Sequence, residues 1–396
     1  MGHASTFRRI DHFVHLDPAR MKLRVLLGTV SVLVVCACSS GAGSGAQHLY
    51  PSPTPGEPTP PPPVFAKCTL PIPAGDQLAL VSLDNTVDVA VRDIAQISKA
   101  ATLCIIYGGS FFRFVNATHI SYIVKGANGQ GALYMFGLQT NATSLVSAWS
   151  EAGSLNGVYA WSPDGTILTY LSSDPGGVAW HLRSAAGDVV LSRLESISNR
   201  TIDPNNDDAM VGFSADGLYV ALEETFGSQG SAPFQVIRLA DHQLVYSRTT
   251  GTMATWSGSG SRLFFRTISG VEEWDPTKGE QLDVPGLSWI HPWPSADGLR
   301  IAYTTVNANG NHFPGVFGLD TPAGIQLSKL PRVGAAFLTS TIVWYAQESV
   351  CDAVTPCGPG GPMRTGQAYL NDLVAGTERP TIETAFFDSW PHDLGQ

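Results

Sequence analysis

From about residue 65 onward, apolar and polar positions alternate in short runs, and the apolar residues are mostly aromatic or β-branched. A period of two sends successive side chains to opposite faces of an extended chain, so the runs predict β-strands. No amphipathic helical stretch of comparable length interrupts them. An aliphatic–small–bulky triplet marks the pattern most clearly. Leu168-Thr169-Tyr170 follows Trp161-Ser162-Pro163-Asp164-Gly165, and Val220-Ala221-Leu222 follows Phe213-Ser214-Ala215-Asp216-Gly217. Ile301-Ala302-Tyr303 follows Trp293-Pro294-Ser295-Ala296-Asp297-Gly298, and Leu263-Phe264-Phe265 follows the worn copy Trp256-Ser257-Gly258-Ser259-Gly260. The turn is chemically specified. Pro at the second position presets φ, Asp bonds nearby backbone, and Gly accepts positive φ where the strand reverses.

The triplet recurs without the full turn at Leu78-Ala79-Leu80, Ile120-Ser121-Tyr122 and Val343-Trp344-Tyr345. Its column falls at 78, 120, 168, 220, 263, 301 and 343, with spacings of 42, 48, 52, 43, 38 and 42 residues. A second strand follows each: Val87 to Arg92, Leu133 to Phe136, Ala179 to Leu182, Val236 to Leu239, Val271 to Trp274, Val316 to Leu319 and Ala368 to Leu370. A period in the forties with four short strands per unit predicts the blades of an all-β propeller. The aromatic–Ser–Pro/Ala–Asp–Gly unit resembles the repeat of TolB-like β-propellers, over roughly residues 66–396 and clearly in three copies.

Seven triplets predict seven blades, although the first lacks an inner strand ahead of Gly75. The C-terminus supplies one, because Phe387-Asp388-Ser389-Trp390-Pro391-His392-Asp393 matches Pro292-Trp293-Pro294-Ser295-Ala296-Asp297. The expectation is a ring whose last strand completes the first blade and removes an open sheet edge. Six blades is the alternative, with residues 70–110 as an outer cover only.

The N-terminal part reads as an address. Val25 to Val35 is an apolar run of eleven residues, about 17 Å as a helix and short of a roughly 30 Å hydrocarbon core. Lys22 and Arg24 precede it, as in a signal peptide. Val35-Cys36-Ala37-Cys38-Ser39-Ser40-Gly41 resembles the lipobox of bacterial lipoproteins, and this resemblance makes Cys38 the lipidated residue. Residues 1–37 are then leader and signal peptide, with Met21 a candidate start. Residues 38–64 form a Gly/Ser/Pro-rich stalk, and 65–396 the propeller. Residues 51–63 contain eight prolines, so extended polyproline II would hold the domain about 40 Å from its anchor.

Composition narrows the partners. The chain of 396 residues is 43% hydrophobic and 14% charged, enough apolar surface for a sizeable core. Its net charge is −10, and without residues 1–37, which carry five Lys or Arg and two Asp, it is about −13. Such a surface repels phosphate backbones, so no nucleic acid is expected. Apart from Cys36 and Cys38, four cysteines remain. An exported chain with an even number predicts disulfides, and Cys351 with Cys357 and Cys68 with Cys104 is the natural pairing.

Catalytic signatures are sparse. The sequence has no Gly-x-Ser-x-Gly elbow, phosphate-binding Gly-rich loop, His-Glu-x-x-His or EF-hand loop. His48, His119, His181, His242, His291, His312 and His392 lie too far apart in sequence for a local metal site. Asp203 to Asp208 could offer oxygens to Ca²⁺, but Asx-rich loops favour turns for other reasons. Glu223-Glu224 and Glu272-Glu273 are neighbours on strands, so each pair points to opposite faces. Trp161, Trp256, Trp293 and Trp390 belong to the repeat and are expected between blades, whereas Trp149, Trp289 and Trp344 are freer candidates for a contact face, with the core still the expected place for them. No catalytic residue, metal or cofactor is therefore assigned. The sequence predicts a lipid-anchored extracytoplasmic propeller, bound to the membrane by its lipid and presenting a loop-built face to an envelope protein or cell-wall ligand. TolB-like propellers imply such a protein-binding role. The alternative is an extracytoplasmic lactonase-, lyase- or glycosidase-like enzyme with a site at the channel mouth.

Overall fold

A computed structural model of the chain describes residues 60–390 except 70–71, 73–77, 84–87, 94–101, 128–129, 150–157, 175–176, 194–210, 224–233, 250–251, 319–320, 351–363 and 382. The described residues belong to the second of two units, Leu49–Gln396. All 29 regular elements described are β-strands, arranged as a seven-bladed propeller.

Blade 1 begins with β1 (Ala66–Cys68), β2 (Leu78–Leu83), β3 (Val89–Asp93) and β4 (Thr102–Ile106). Blade 2 is β5 (Ser110–Asn116), β6 (His119–Lys125), β7 (Gly131–Gly137) and β8 (Thr143–Trp149). Blade 3 is β9 (Tyr159–Trp161), β10 (Leu168–Asp174), β11 (Gly177–Ser184) and β12 (Gly187–Arg193). Blade 4 is β13 (Val211–Phe213), β14 (Tyr219–Glu223), β15 (Phe234–Arg238) and β16 (Gln243–Arg248). Blade 5 is β17 (Thr252–Trp256), β18 (Leu263–Arg266), β19 (Gly270–Asp275) and β20 (Gly279–Pro285). Blade 6 is β21 (Trp289–Pro294), β22 (Arg300–Val306), β23 (His312–Gly318) and β24 (Thr321–Gln326). Blade 7 is β25 (Arg332–Phe337), β26 (Ile342–Glu348), β27 (Arg364–Asp372) and β28 (Thr377–Thr381), and β29 (Glu383–Trp390) returns to blade 1.

Every blade is an antiparallel meander, and β29 pairs with β2 from Leu78↔Trp390 to Leu83↔Glu383. The C-terminal strand is thus the inner strand of blade 1, as the repeat of its sequence predicts, and β1 extends that blade outward to five strands. Residues 78–106 form a true blade, which excludes the six-bladed alternative.

The core is divided into seven layers, each shared by two consecutive blades. Leu78, Leu80, Val89 and Val91 of blade 1 pack on Phe112, Phe114, Ile120 and Tyr122 of blade 2. The same arrangement repeats around the ring, through Val115 with Trp161, Trp180 with Phe213, Phe234 with Trp256, Phe264 with Trp289 and Trp293 with Tyr345. Trp344, Ala346 and Leu370 of blade 7 against Ala79, Val81 and Ala90 of blade 1 close it. In blades 2 to 7 the first and third triplet residues face the preceding blade. In blade 1 the parity is reversed, with Leu78 and Leu80 facing blade 2 and Ala79 facing blade 7.

Cys68 and Cys104 stand opposite each other in the β1–β4 pair and are joined by a disulfide. The bond staples the entry strand to the first blade. Just before it, the Pro61 carbonyl accepts a hydrogen bond of 2.5 Å from the Tyr134 hydroxyl, and Tyr107 N donates to the Phe65 carbonyl. Asn141 Oδ1 accepts the Cys68 N–H at 3.2 Å, tying the β7–β8 turn to the same strand.

Two outcomes test this closure. Truncation after Thr381 removes β29, and we expect a lower urea midpoint with increased binding of a hydrophobic dye; an unchanged midpoint would contradict the ring. Cys68→Ser opens a loop of sequence separation 36, and chain entropy predicts a loss of about 3–4 kcal/mol in denaturant titration.

Candidate functional site

An antiparallel meander alternates its connections between two ends of the ring. One end carries the first-to-second and third-to-fourth turns, and the other carries the second-to-third loops and the links between blades. At the first end the repeated turns are built alike. Ser162 Oγ donates to Asp164 Oδ1 at 2.6 Å and accepts the Ile167 N–H at 2.9 Å. Ser214 with Asp216 and Ser295 with Asp297 repeat this, each at 2.6 Å. The following glycines hold φ of +69°, +68° and +70° at Gly165, Gly217 and Gly298, as the tight reversal requires. Burial pushes the Asp164 carboxyl up, but hydrogen bonds from Ser162 and Thr166 outweigh it and hold the group below the usual carboxylate range. Neighbouring turns also touch. Ser261 donates to Asp216 of the preceding blade, and Arg300 Nη1 donates to the Ser340 carbonyl at 3.1 Å. This end is a structural seam.

The other end is different. It carries the connections 194–210, 224–233 and 349–363, far longer than the repeated turns opposite. Here the inner strands of successive blades meet, β29 with β5, β9 with β13, β17 with β21 and β21 with β25, and form the rim of the channel.

Four inner strands carry the same β-bulge at this rim. Register shifts lie between Ser110 and Arg113, Thr252 and Thr255, Ile290 and Trp293, and Val333 and Ala336. In each, two residues oppose one, and that one is the third triplet residue: Tyr122, Phe265, Tyr303 or Tyr345. The first bulged residue is left-handed, at φ 54° for Phe111, 55° for Met253, 48° for His291 and 71° for Gly334. Three of the four are not glycine, and each such conformation stores on the order of 1–3 kcal/mol.

Bonds from adjacent blades hold these bulges. The buried Glu223 carboxylate of blade 4 accepts the Met253 N–H at 3.0 Å and the Ala254 N–H at 3.2 Å. Trp289 Nε1 of blade 6 donates to the Met253 carbonyl at 3.2 Å, and Arg266 Nη1 donates to the Trp289 carbonyl at 3.1 Å. In blade 2 the Phe111 carbonyl accepts the Tyr159 hydroxyl of blade 3 at 2.5 Å. Trp161 Nε1 then donates to Ser121 Oγ at 2.9 Å. Glu223 and Arg266, reaching the rim from second strands, bond to backbone, whereas Glu348 of blade 7 meets His312 Nδ1 of blade 6 at 2.7 Å. Phe111, Met253 and His291 remain half-exposed, with the Lys125 ammonium 5.0 Å over the Phe111 ring. The rim is thus backbone-bonded, with apolar and charged side chains side by side.

Charged side chains on the outer strands form closed networks. Asp188 takes Tyr170, His181 and Arg183, and Arg248 bridges Glu272 and Glu280 at 2.6 and 2.9 Å. Burial, with the Asp188 hydrogen bond next, raises the Tyr170 phenol well above its ordinary value. Burial acts on Asp188 in the opposite sense to its three donors, which keep that carboxyl below the usual range.

The residues singled out in the sequence separate accordingly. Cys68 and Cys104 are bonded, whereas Cys38, Cys351, Cys357, Glu224, His48, His392 and residues 203–208 lie outside the described residues. Trp161, Trp256 and Trp293 pack between blades, and Trp289 and Trp344 prove equally buried. His181 and His119 lie on strands, and burial lowers the His119 imidazole. Among the described residues no three His, Cys, Asp or Glu side chains converge as a metal site. The left-handed rim residues have no sequence signal beyond the aromatic third member of the triplet across from them.

No family model and no curated protein matches the sequence. Solved structures do. A structure from a study of two prolyl endopeptidases superposes with a TM-score of 0.54 at 12% identity, covering 80% of this chain and 50% of that one. This chain thus spans half the length of that protein, and the likeness is one of fold. TolB from Acinetobacter baumannii matches at 14% identity over 76% of this chain and 78% of its own, with a TM-score of 0.43. The propeller domain of the trilobed protease from Pyrococcus furiosus matches at 11% over 69% and 82%, with a TM-score of 0.46.

Glu223→Ala leaves two bulge amides without their acceptor, and we expect a loss of about 2–3 kcal/mol in urea unfolding. Glu223→Gln, which keeps one acceptor oxygen, should lose distinctly less.

Proposed function

We propose that the chain is a lipid-anchored extracytoplasmic binding module of the cell envelope, held by Cys38 on its Pro-rich stalk. It offers the loop-bearing end of the ring to a protein or cell-wall ligand. The rim is the observation that carries this reading. Strained non-glycine residues persist only where the surroundings over-determine them, and such sites concentrate at ligand clamps. Phe111 and Met253 are held this way, half-exposed, by bonds from three neighbouring blades, and His291 repeats their left-handed, half-exposed backbone. A rim held in place by bonds between blades fits recognition, since ordering entropy is already lost before the ligand arrives. The long connections around it supply variable contacts on a fixed scaffold, the usual division between binding loops and frame. The stalk meets the ring at this same end, where Pro61 lies beside Gly126 of the β6–β7 loop. A spacer of about 40 Å leaves room for a partner there.

Two measurements test the proposal. Cys38→Ala should move the protein from the membrane fraction to the soluble extracytoplasmic fraction, and continued membrane attachment would refute the anchor. In-cell crosslinking followed by mass spectrometry should recover one reproducible partner, lost in a Phe111→Ala/His291→Ala double variant that still unfolds cooperatively. If the double variant captures the same partner equally well, the rim is not the binding surface. Turnover of a glycan or lactone with no captured partner would replace the binding reading by an enzymatic one.

A further inference from the structure

Adjacent glutamates on β19 face different seams. Glu272 turns toward blade 4, where Arg248 meets it at 2.6 Å, and Glu273 turns toward blade 6 on the side of Val271. The β19–β20 pairing slips between Val271 and Glu272, so Asp283 is the extra residue of a bulge on β20. That bulge brings a second carboxyl to the Glu273 side. The Gln281 amide Nε2 touches both groups, at 3.2 Å from Glu273 Oε2 and 3.4 Å from Asp283 Oδ1. Glu273 is only 2% exposed, and its Oε1 accepts no hydrogen bond. One cation stands near, Arg262, with Nη1 3.7 Å from Glu273 Oε2 and its guanidinium drawn over the Phe264 ring.

The surrounding elements offer little else. Glu280 on β20 is engaged by Tyr246 and Arg248, and Lys278 sits 3.8 Å from Asp275 in the hairpin. The facing strand of blade 6, β24, contains no ionisable residue. A buried carboxylate and a half-buried one beside it have one guanidinium, 3.7 Å from Glu273, and one shared amide to compensate them. The two carboxyls meet around one amide nitrogen of Gln281, and a hydrogen held between them would remove one of the two charges.

We propose that Glu273 and Asp283 share a single proton and act as a pH-sensitive clamp on the seam between blades 5 and 6. With the proton bound, the pair carries one negative charge and an O–H···O⁻ bond closes the outer edge of the seam. Loss of the proton sets two like charges against each other with no cation from blade 6 to separate them. Burial first, and then the Glu273 carboxylate, pushes the Asp283 carboxyl up to about 7. In the unfolded chain this carboxyl titrates near its ordinary value of about 3.9. Between those values the folded protein holds a proton that the unfolded chain has released. The contribution is therefore fully present below about pH 4 and is lost as pH rises through about 7.

Urea unfolding of the full chain at pH 5, 6, 7 and 8, beside Asp283→Asn, reads the clamp. Asn keeps a donor toward Glu273 and cannot ionise. The folding constant of the wild type should fall relative to Asp283→Asn by up to about tenfold per pH unit between pH 5 and 7, the limit for one proton. A ratio constant with pH would overturn the proposal. If Asp283→Asn does not fold, Glu273→Gln serves the same comparison, with the same outcomes. Calcium chloride provides the other arm. A midpoint raised by 1 mM Ca²⁺ at pH 8 in the wild type but not in the variant would make the pair a cation site and overturn the shared proton.

Discussion

Burial of both faces of every blade is the constraint on which the rest of the structure depends. A sheet with apolar residues on one side can face water on the other. These sheets cannot, because alternate residues of one strand serve two different layers. Val220 and Leu222 pack toward blade 3, while Ala221 between them packs toward blade 5. An isolated blade would expose two apolar faces, so stability belongs to the seams, and a ring is the arrangement with no seam left open. The last seams are completed by joining the two ends of the chain in one sheet, with β29 inside and β1 outside. The Cys68–Cys104 bond fastens the outer member of that sheet, which has only one neighbouring strand to hold it.

The same packing explains why strain gathers at one end. Seams narrow toward the axis, and in four blades a large third triplet residue meets a bulged inner strand there. Opposite Tyr122, Phe265, Tyr303 and Tyr345 the inner strand inserts an extra residue and adopts a left-handed conformation. Opposite Leu222 and Tyr170 the inner strand pairs directly, with Val211 and Tyr159, so the bulge accompanies an aromatic third residue in four of five blades. The bulge tilts backbone amides and carbonyls out of their own sheet, and the neighbouring blade must then satisfy them. Glu223, Tyr159 and Trp289 do so. Seam packing and rim rigidity are therefore one phenomenon. At the Ser–x–Asp–Gly end the serine and aspartate bond the backbone of their own turn, and contacts between blades such as Ser261 with Asp216 are added to that.

Much of this was legible in the chain. The triplet column locates the second strand of all seven blades, because an apolar–small–apolar pattern is imposed by seams of fixed width. The C-terminal echo of the blade 6 turn locates the closing strand. Parity in blade 1 was not legible. Leu78-Ala79-Leu80-Val81 is apolar throughout, so alternation carries no information there, and a shift of one residue exchanges the faces. Trp289 and Trp344, outside the repeated turn, carry no signal of which seam buries them, since their neighbours lie on other strands: Tyr303 and Phe317 for Trp289, Ala79 and Val81 for Trp344. The rim was legible only by half. An aromatic third residue is visible in the sequence, but the bulge it elicits depends on the strand across from it. The glycines that usually announce such backbone are replaced by Phe111, Met253 and His291 in three of four cases.

Charge follows the same two-faced logic, and blade 5 shows its consequence. Glu272 and Glu273 are consecutive, so the strand delivers one carboxylate to each adjoining seam. On the blade 4 side Arg248 bridges Glu272 and Glu280, Thr267 donates to Glu272 at 2.6 Å, and the Tyr246 hydroxyl completes a closed network. On the blade 6 side Arg262 reaches Glu273 alone, the bulge adds the Asp283 carboxyl, and the sequence of β24 contains no charged residue. Topology is identical on both sides and the electrostatics are opposite. One seam is neutralised within the protein, whereas the other is left to the solvent proton. A ring whose stability resides in its seams can therefore respond to its surroundings at a single seam, without any change in the blades themselves.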